Sequence, residues 1–191
     1  LSRRQRQMCI RDSTVNALVK AAYEMGKVKT GALIVIEQDT KLSEYEATGI
    51  ELDALVSSQL IINIFEHNTP LHDGAVIMRG NRLTAATCYL PLSDNMELSK
   101  ELGTRHRAAV GISEVTDSFT IVVSEETGAV SIAVGGRLFR NIDGDKLRSH
   151  LIRLQNKQID VKKFRLWKIR NDKAKNMETK KEKAKKEKKE K

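Results

Sequence analysis

The chain has 191 residues, with 34 Lys/Arg against 25 Asp/Glu and a formal net charge of +9. That length holds one compact domain with a real core and leaves no room for two generous ones. Its charge excludes a polyanion-binding core, because residues 1–12 carry +3, residues 13–142 carry −5 (eleven basic against sixteen acidic) and residues 143–191 carry +11, so the basic character belongs to the ends.

Residues 1–12 have no clean periodicity and read as a non-native-looking or disordered segment. From Ser13 or Thr14, the residues Val15, Leu18, Val19, Ala22 and Met25 fall on one helical face that ends at Gly26. Gly31 to Glu37 predicts a buried strand, and Asp53 to Phe65 an amphipathic helix with Leu55, Val56, Leu60, Ile61 and Ile64 inward, ended by Asn68-Thr69-Pro70. Ala75 to Met78 and Leu83 to Leu90 predict strands joined through a turn at Gly80-Asn81. Thr104 reads as the N-cap of a helix running into Ala108-Ala109-Val110. Phe119 to Ser124 and Ala129 to Val134 form a second hairpin, Arg137 to Arg140 adds a short strand, and residues 144–154 a closing helix. The sum is an α/β fold, a single globular domain over 13–155 with a central mixed β-sheet flanked by helices. A Lys/Glu-rich tail follows over 156–191, too poor in apolar residues beyond 171 to order itself.

Two cysteines, Cys9 and Cys88, make no disulfide framework, and Cys88 in its apolar run reads as a buried free thiol of a reducing compartment. No stretch approaches the roughly 20 apolar residues of a membrane span, so the chain as given is expected to be soluble and cytoplasmic. The tail lacks interleaved aromatics and its glutamates dilute the charge, so no nucleic acid is expected.

Two polar strings stand inside apolar segments: His72-Asp73-Gly74-Ala75, and Thr104-Arg105-His106-Arg107 after Gly103. Asp73-Gly74 reads as a turn or as a carboxylate beside bare backbone that a ligand can approach. His72 and Asp73 point to opposite faces if extended, and a bend at Gly74 would let both reach one metal. Two arginines in a first helical turn oppose the helix dipole, a conflict that a bound phosphate removes; the plain alternative is a solvated helix start. Glu125-Glu126, beside Ser124, reads as a polar turn or as a carboxylate source for Mg²⁺ or Mn²⁺. Tyr89-Leu90 reads as a strand end in the core or as an adenine platform. There is no G-x-x-x-x-G-K-[ST] and no strand-borne G-x-G-x-x-G, so a nucleotide site here has another construction.

The runs TPLHDGAVIMRGNRLTAATCYLPL (Thr69 to Leu92) and ELGTRHRAAVGISEVTDSFTIVVS (Glu101 to Ser124) resemble the diadenylate cyclase domain family, and within it the CdaA type, over about residues 14–150. The resemblance implies synthesis of cyclic di-AMP from two ATP with release of two pyrophosphates, dependence on a divalent metal (Mn²⁺, Mg²⁺ or Co²⁺), and a homodimer whose two sites face each other. It implies that Asp73 engages the attacking 3′-hydroxyl and the metal, with His72 as a further metal ligand and Glu126 approaching the metal or the partner's site. Gly74, Ala75, Tyr89 and Leu90 would line the nucleoside pocket. Gly103, Thr104, Arg105, His106, Arg107 and Ser124 would hold the phosphates. It also implies membrane anchoring of a longer chain with this domain facing the cytoplasm, and membrane and regulatory protein partners there. The alternatives are a non-catalytic sensor of ATP or cyclic dinucleotide, and a nucleic-acid scaffold acting through its tail.

Overall fold

A computed structural model describes residues 12–95 and 102–155. The chain divides into two units, Leu1–Ile152 and Arg153–Lys191, and the fold below is that of the first. The expectations for residues 1–11, Cys9 among them, and for the tail from 156 lie outside the described residues.

Helix α1 (Asp12–Lys27) is followed by β1 (Ala32–Ile36), α2 (Ser43–Glu46), β2 (Ile50–Leu55), α3 (Ser58–Phe65), β3 (Ala75–Arg79), β4 (Arg82–Cys88), α4 (Thr104–Val115), β5 (Phe119–Val123), β6 (Val130–Val134) and β7 (Arg137–Phe139), and residues 144–152 are helical. The strands form one seven-stranded sheet in the order β2-β4-β3-β1-β5-β6-β7. Only β1 and β3 run parallel; the other neighbours are antiparallel. Burial of every residue of β1 and β5 explains why these two segments read as unbroken apolar runs rather than alternations: helices cover both faces of the sheet's centre. Leu33, Val35, Ile77, Val122 and Ala133 pack with Ala108, Ala109, Val110 and Ile112 of α4. The alternate positions, such as Ile34, Ile36, Val76 and Ile121, are equally buried and face the other way, the side on which α1 and α3 pack together.

The predicted helix over 53–65 is corrected. Its first part is the edge strand β2, where Ala54 pairs with Leu83 and Leu55 with Arg82 across a bulge that holds Asp53 at φ 43°. The helix begins only at Ser58, where the Ser57 hydroxyl accepts a hydrogen bond from the Leu60 amide at 3.2 Å. An N-cap serine outweighs apolar spacing that continues upstream of it. Leu55, inward by helical spacing, is 60% exposed. The predicted N-cap at Thr104 is also corrected: Gly103 caps α4, without a side-chain hydrogen bond, and Thr104 is the first helical residue.

Far from the polar strings, at the C-terminal ends of β1 and β3, a charge network ties the sheet to α2. Glu37 is 2% exposed and takes Arg79 Nε at 2.6 Å, Lys41 Nζ at 3.0 Å and the Leu42 amide at 3.0 Å. Arg79 Nη2 also reaches Glu46 at 2.9 Å. Burial pushes the Glu37 carboxyl up, but the donors from Arg79, Leu42 and Lys41 outweigh it and hold it below its ordinary value. The folded state then binds fewer protons than the unfolded one at this group. Its stabilisation is present above the unfolded carboxylate value of about 4.3 and is lost as pH falls through the lower folded value. Arg79→Met is expected to cost about 2 kcal/mol at neutral pH, below the usual range for a broken buried pair because Arg79 keeps solvent contact. It should also flatten the loss of stability between neutral and acid pH; urea titrations at both conditions read the two effects together, and an unchanged acid slope would count against this origin.

Candidate functional site

The polar strings meet at the opposite end of the sheet. Because β1 and β3 run parallel and β5 runs against β1, with Ala32 paired to Val123, the starts of β1 and β3 and the end of β5 lie together. The N-terminus of α4 closes over them. A cavity of about 800 Å³ opens there, lined by Asp73 and Gly74 before β3, Tyr89, Leu90 and Leu92 after β4, Leu102 to His106 at the start of α4, and Ser124 to Thr127 in the β5–β6 hairpin.

Asp73 Oδ1 accepts a hydrogen bond from the Gly74 amide at 2.9 Å, which orients the carboxylate and leaves Oδ2 open. Gly74 sits at φ 82°, and a Cβ there would lie 2.9 Å from the Cys88 carbonyl oxygen. Both the left-handed backbone and the close approach require glycine. Opposite it in β4, Thr87 has φ 56°, a strained conformation for a β-branched residue; the β3–β4 register shifts in the same stretch.

With no side chain capping α4, the Thr104 and Arg105 amides stand at the cavity without a partner among the described residues, whereas the His106 and Arg107 amides bond to the Gly103 carbonyl; this is the positive end of the helix dipole. The Arg105 side chain lies beside it, with Nη1 2.5 Å from Glu125 Oε2. The pair rests over Gly31, where a Cβ would come within 2.8 Å of Arg105 Nη1 and 2.9 Å of Glu125 Oε2. Arg105 Nε is buried without a partner among the described residues. His106 is nearly buried, and its imidazole is held below its ordinary value, first by burial and then by the charge of Arg140, with Glu126 opposing. It is therefore neutral at neutral pH and can donate or accept one hydrogen bond without adding charge. Cys88, in the same wall, is a buried free thiol pushed up to about 12 by burial and by Glu46, so it stays protonated and is not a nucleophile.

Of the residues singled out in the sequence, the fold brings Asp73, Gly74, Tyr89, Leu90, Gly103, Thr104, Arg105, His106, Ser124 and Glu126 to this one cavity. Three are not in its wall. The His72 Nδ1 lies 2.6 Å from the Thr69 carbonyl oxygen and its ring packs against His67. Ala75 is fully buried as the first residue of β3, paired with Cys88 beneath the floor. Arg107 follows Arg105 by two helical positions, more than half a turn around α4, on the face whose backbone receives the Ser93 amide at 3.0 Å. Tyr89 is 70% exposed at the mouth of the cavity, not packed in the core.

Sequence reasoning missed Leu33, Arg140 and Asn141, which also line the cavity. Leu33 carried only the signal of a buried apolar strand, and Arg140 carried none. The carboxylates in the wall are Asp73, Glu125 and Glu126. Oxygen donors of this kind suit a hard divalent cation. Among the described residues no three His, Cys, Asp or Glu side chains converge as a ready metal site.

The sequence pattern of the DAC family, "DisA bacterial checkpoint controller nucleotide-binding", matches residues 19–138. The chain is 60% identical over 138 residues to the cyclic di-AMP synthase CdaA of Bacillus subtilis, covering 72% of this chain and 50% of that protein. The crystal structure of a double mutant of DacA from Staphylococcus aureus superposes with a TM-score of 0.73 at 48% identity, covering 74% of this chain and 95% of that one. The structure of a hypothetical membrane spanning protein from Bacillus cereus gives 0.66 at 41% identity, over 68% and 64% of the two chains. The chain spans about half the length of the curated relatives it matches. With its seven-stranded mixed sheet, its D-G-A and R-H-R strings and the extent of these matches, the chain belongs to the DAC family of nucleotide-binding domains.

Proposed function

We propose that the chain is the catalytic domain of a diadenylate cyclase, which condenses two ATP into cyclic di-AMP and releases two pyrophosphates. The observation that carries this reading is the meeting of an oriented carboxylate, Asp73, with the uncapped N-terminus of α4 and Arg105 in one cavity. In each half-reaction the 3′-hydroxyl of one ATP attacks the α-phosphate of the other, the bond from that phosphorus to the bridging oxygen breaks, and pyrophosphate leaves. Asp73 Oδ2 accepts a hydrogen bond or the proton from the hydroxyl. The α4 amides, Thr104 and Arg105 compensate phosphate charge, and Ser124 adds a hydroxyl at the same wall. Most of the acceleration in such a transfer comes from positioning and charge compensation.

Asp73 and Glu126, together with the phosphates, would hold a divalent cation, Mn²⁺, Mg²⁺ or Co²⁺. When bound, it supplies charge neutralisation at the phosphates. One cavity takes one nucleotide, so turnover needs two copies of the domain facing each other as a homodimer. No helix among the described residues is long and apolar enough to cross a membrane. Anchoring in the cell membrane, with this domain on the cytoplasmic side, is proposed for a longer native chain on its likeness to the membrane spanning protein from Bacillus cereus.

Incubation with ATP and Mn²⁺, then Mg²⁺, over a range of protein concentrations is expected to yield cyclic di-AMP, detected by mass spectrometry, at a rate that rises faster than linearly with protein. Binding of ATP without product at every concentration and metal would instead support a sensor.

A further inference from the structure

Arg140 follows β7 and faces the cavity with Asn141. The chain just after it is tied down: the Ile142 amide donates to the Val130 carbonyl at 2.8 Å, the Tyr23 hydroxyl of α1 donates to the Ile142 carbonyl, and Asn141 turns the chain at φ 53°. This is a built position in the wall, though the guanidinium itself is exposed to the cavity and solvent.

The charges in the wall do not balance for a polyanionic ligand. Asp73, Glu125 and Glu126 face it with Arg105 and Arg140, and Arg105 is already paired with Glu125. His106 adds no charge, since burial and Arg140 hold it neutral. Arg140 alone of the two arginines makes no hydrogen bond or ion pair among the described residues. A nucleoside triphosphate entering such a cavity meets one uncommitted guanidinium, the group best suited to hold phosphate oxygens two at a time.

The sheet order gives the direction. The apolar end of the cavity, Tyr89, Leu90 and Leu92, follows β4, whereas Arg140 follows β7 at the far edge of the sheet. A base placed at the apolar end sends its phosphates toward the other. We propose that Arg140 is a further binding residue of this site, which holds the β- and γ-phosphates of the nucleotide, the part that leaves as pyrophosphate. This rests on the reading of the ligand as ATP.

The test is calorimetric titration of the full chain, its Arg140→Ala variant and its Arg140→Lys variant with ATP and with AMP, each in Mg²⁺. Arg140→Ala is expected to weaken ATP about tenfold with AMP little changed, and Arg140→Lys to restore part of the loss, since a lysine keeps the charge without the fork. Equal ATP affinity in wild type and Arg140→Ala overturns the proposal. So does a parallel loss of ATP and AMP, which would make Arg140 a prop of the wall or a contact of the α-phosphate. If the wild-type chain binds neither nucleotide, the parent reading falls and this proposal with it, an outcome separate from wild-type binding that the variant leaves intact.

Discussion

Asp73→Asn is expected to abolish cyclic di-AMP synthesis, lowering turnover by about 10³-fold, with only a modest loss of affinity for ATP. The asymmetry follows from what the carboxylate does in the structure. Asp73 is exposed at the cavity edge, and its one hydrogen bond among the described residues is to the next amide, so its removal leaves no buried donor unpaired. Asparagine can keep that bond through its carbonyl oxygen, and the loop keeps its shape. What it cannot supply is an acceptor for the proton of the attacking hydroxyl, a need felt only as the transition state forms. Turnover and binding measured on the same preparation separate the two. A variant that turns over at the wild-type rate would remove Asp73 from the chemistry, and one that no longer binds ATP would make it a ligand-holding group instead.

Gly111→Ala is expected to destabilise the domain by about 2 kcal/mol, against the sign that helix propensity alone gives. In an exposed helix interior, alanine is better than glycine by about 1 kcal/mol. Here a Cβ would stand 2.1 Å from the Pro91 carbonyl oxygen and 2.8 Å from the Ser93 amide nitrogen, both main-chain atoms that cannot turn aside as a side-chain end would. The same face of α4 carries the Arg107 carbonyl, which takes the Ser93 amide at 3.0 Å, and Glu114, which takes the Ser93 hydroxyl at 2.7 Å. Overpacking of about 3 kcal/mol therefore outweighs the propensity gain. The segment that must move continues from Tyr89 and Leu90 in the cavity wall, so ATP affinity should fall together with the thermal midpoint. A midpoint at or above the wild-type value would show that α4 and this segment are not packed so closely.

Much of the fold was legible because the signals are local. The runs at 31–37, 119–124 and 129–134 are dominated by apolar residues, and strands buried on both faces need little more to be recognised. The turn at Gly80 has φ 63°, and glycine there was its signature. Edge strand β2 escaped for the opposite reason. Its residues alternate from Ile50 to Ala54, but Ile50 and Leu55 are exposed, a bulge breaks the register at its centre, and the apolar residues after Ser57 supply a helical period that extends backward over its second half.

The site divides along the same line. Asp73-Gly74 and the arginines of α4 could be read as ligand-binding because each string sets a local conflict, a carboxylate next to a left-handed glycine and two cations at a positive helix end, that a bound ligand relieves. The sequence by itself therefore determined the α/β class, the family to which the strings belong and the polar residues at the heart of the cavity. Only the tertiary structure decided which members of the strings face inward, placing Arg105 and His106 in the cavity wall and leaving Arg107 out of it, since helical rotation settles that. It alone added Leu33 and Arg140. These residues reach the cavity through the order and direction of seven strands, a product of pairing between distant segments that no short string records.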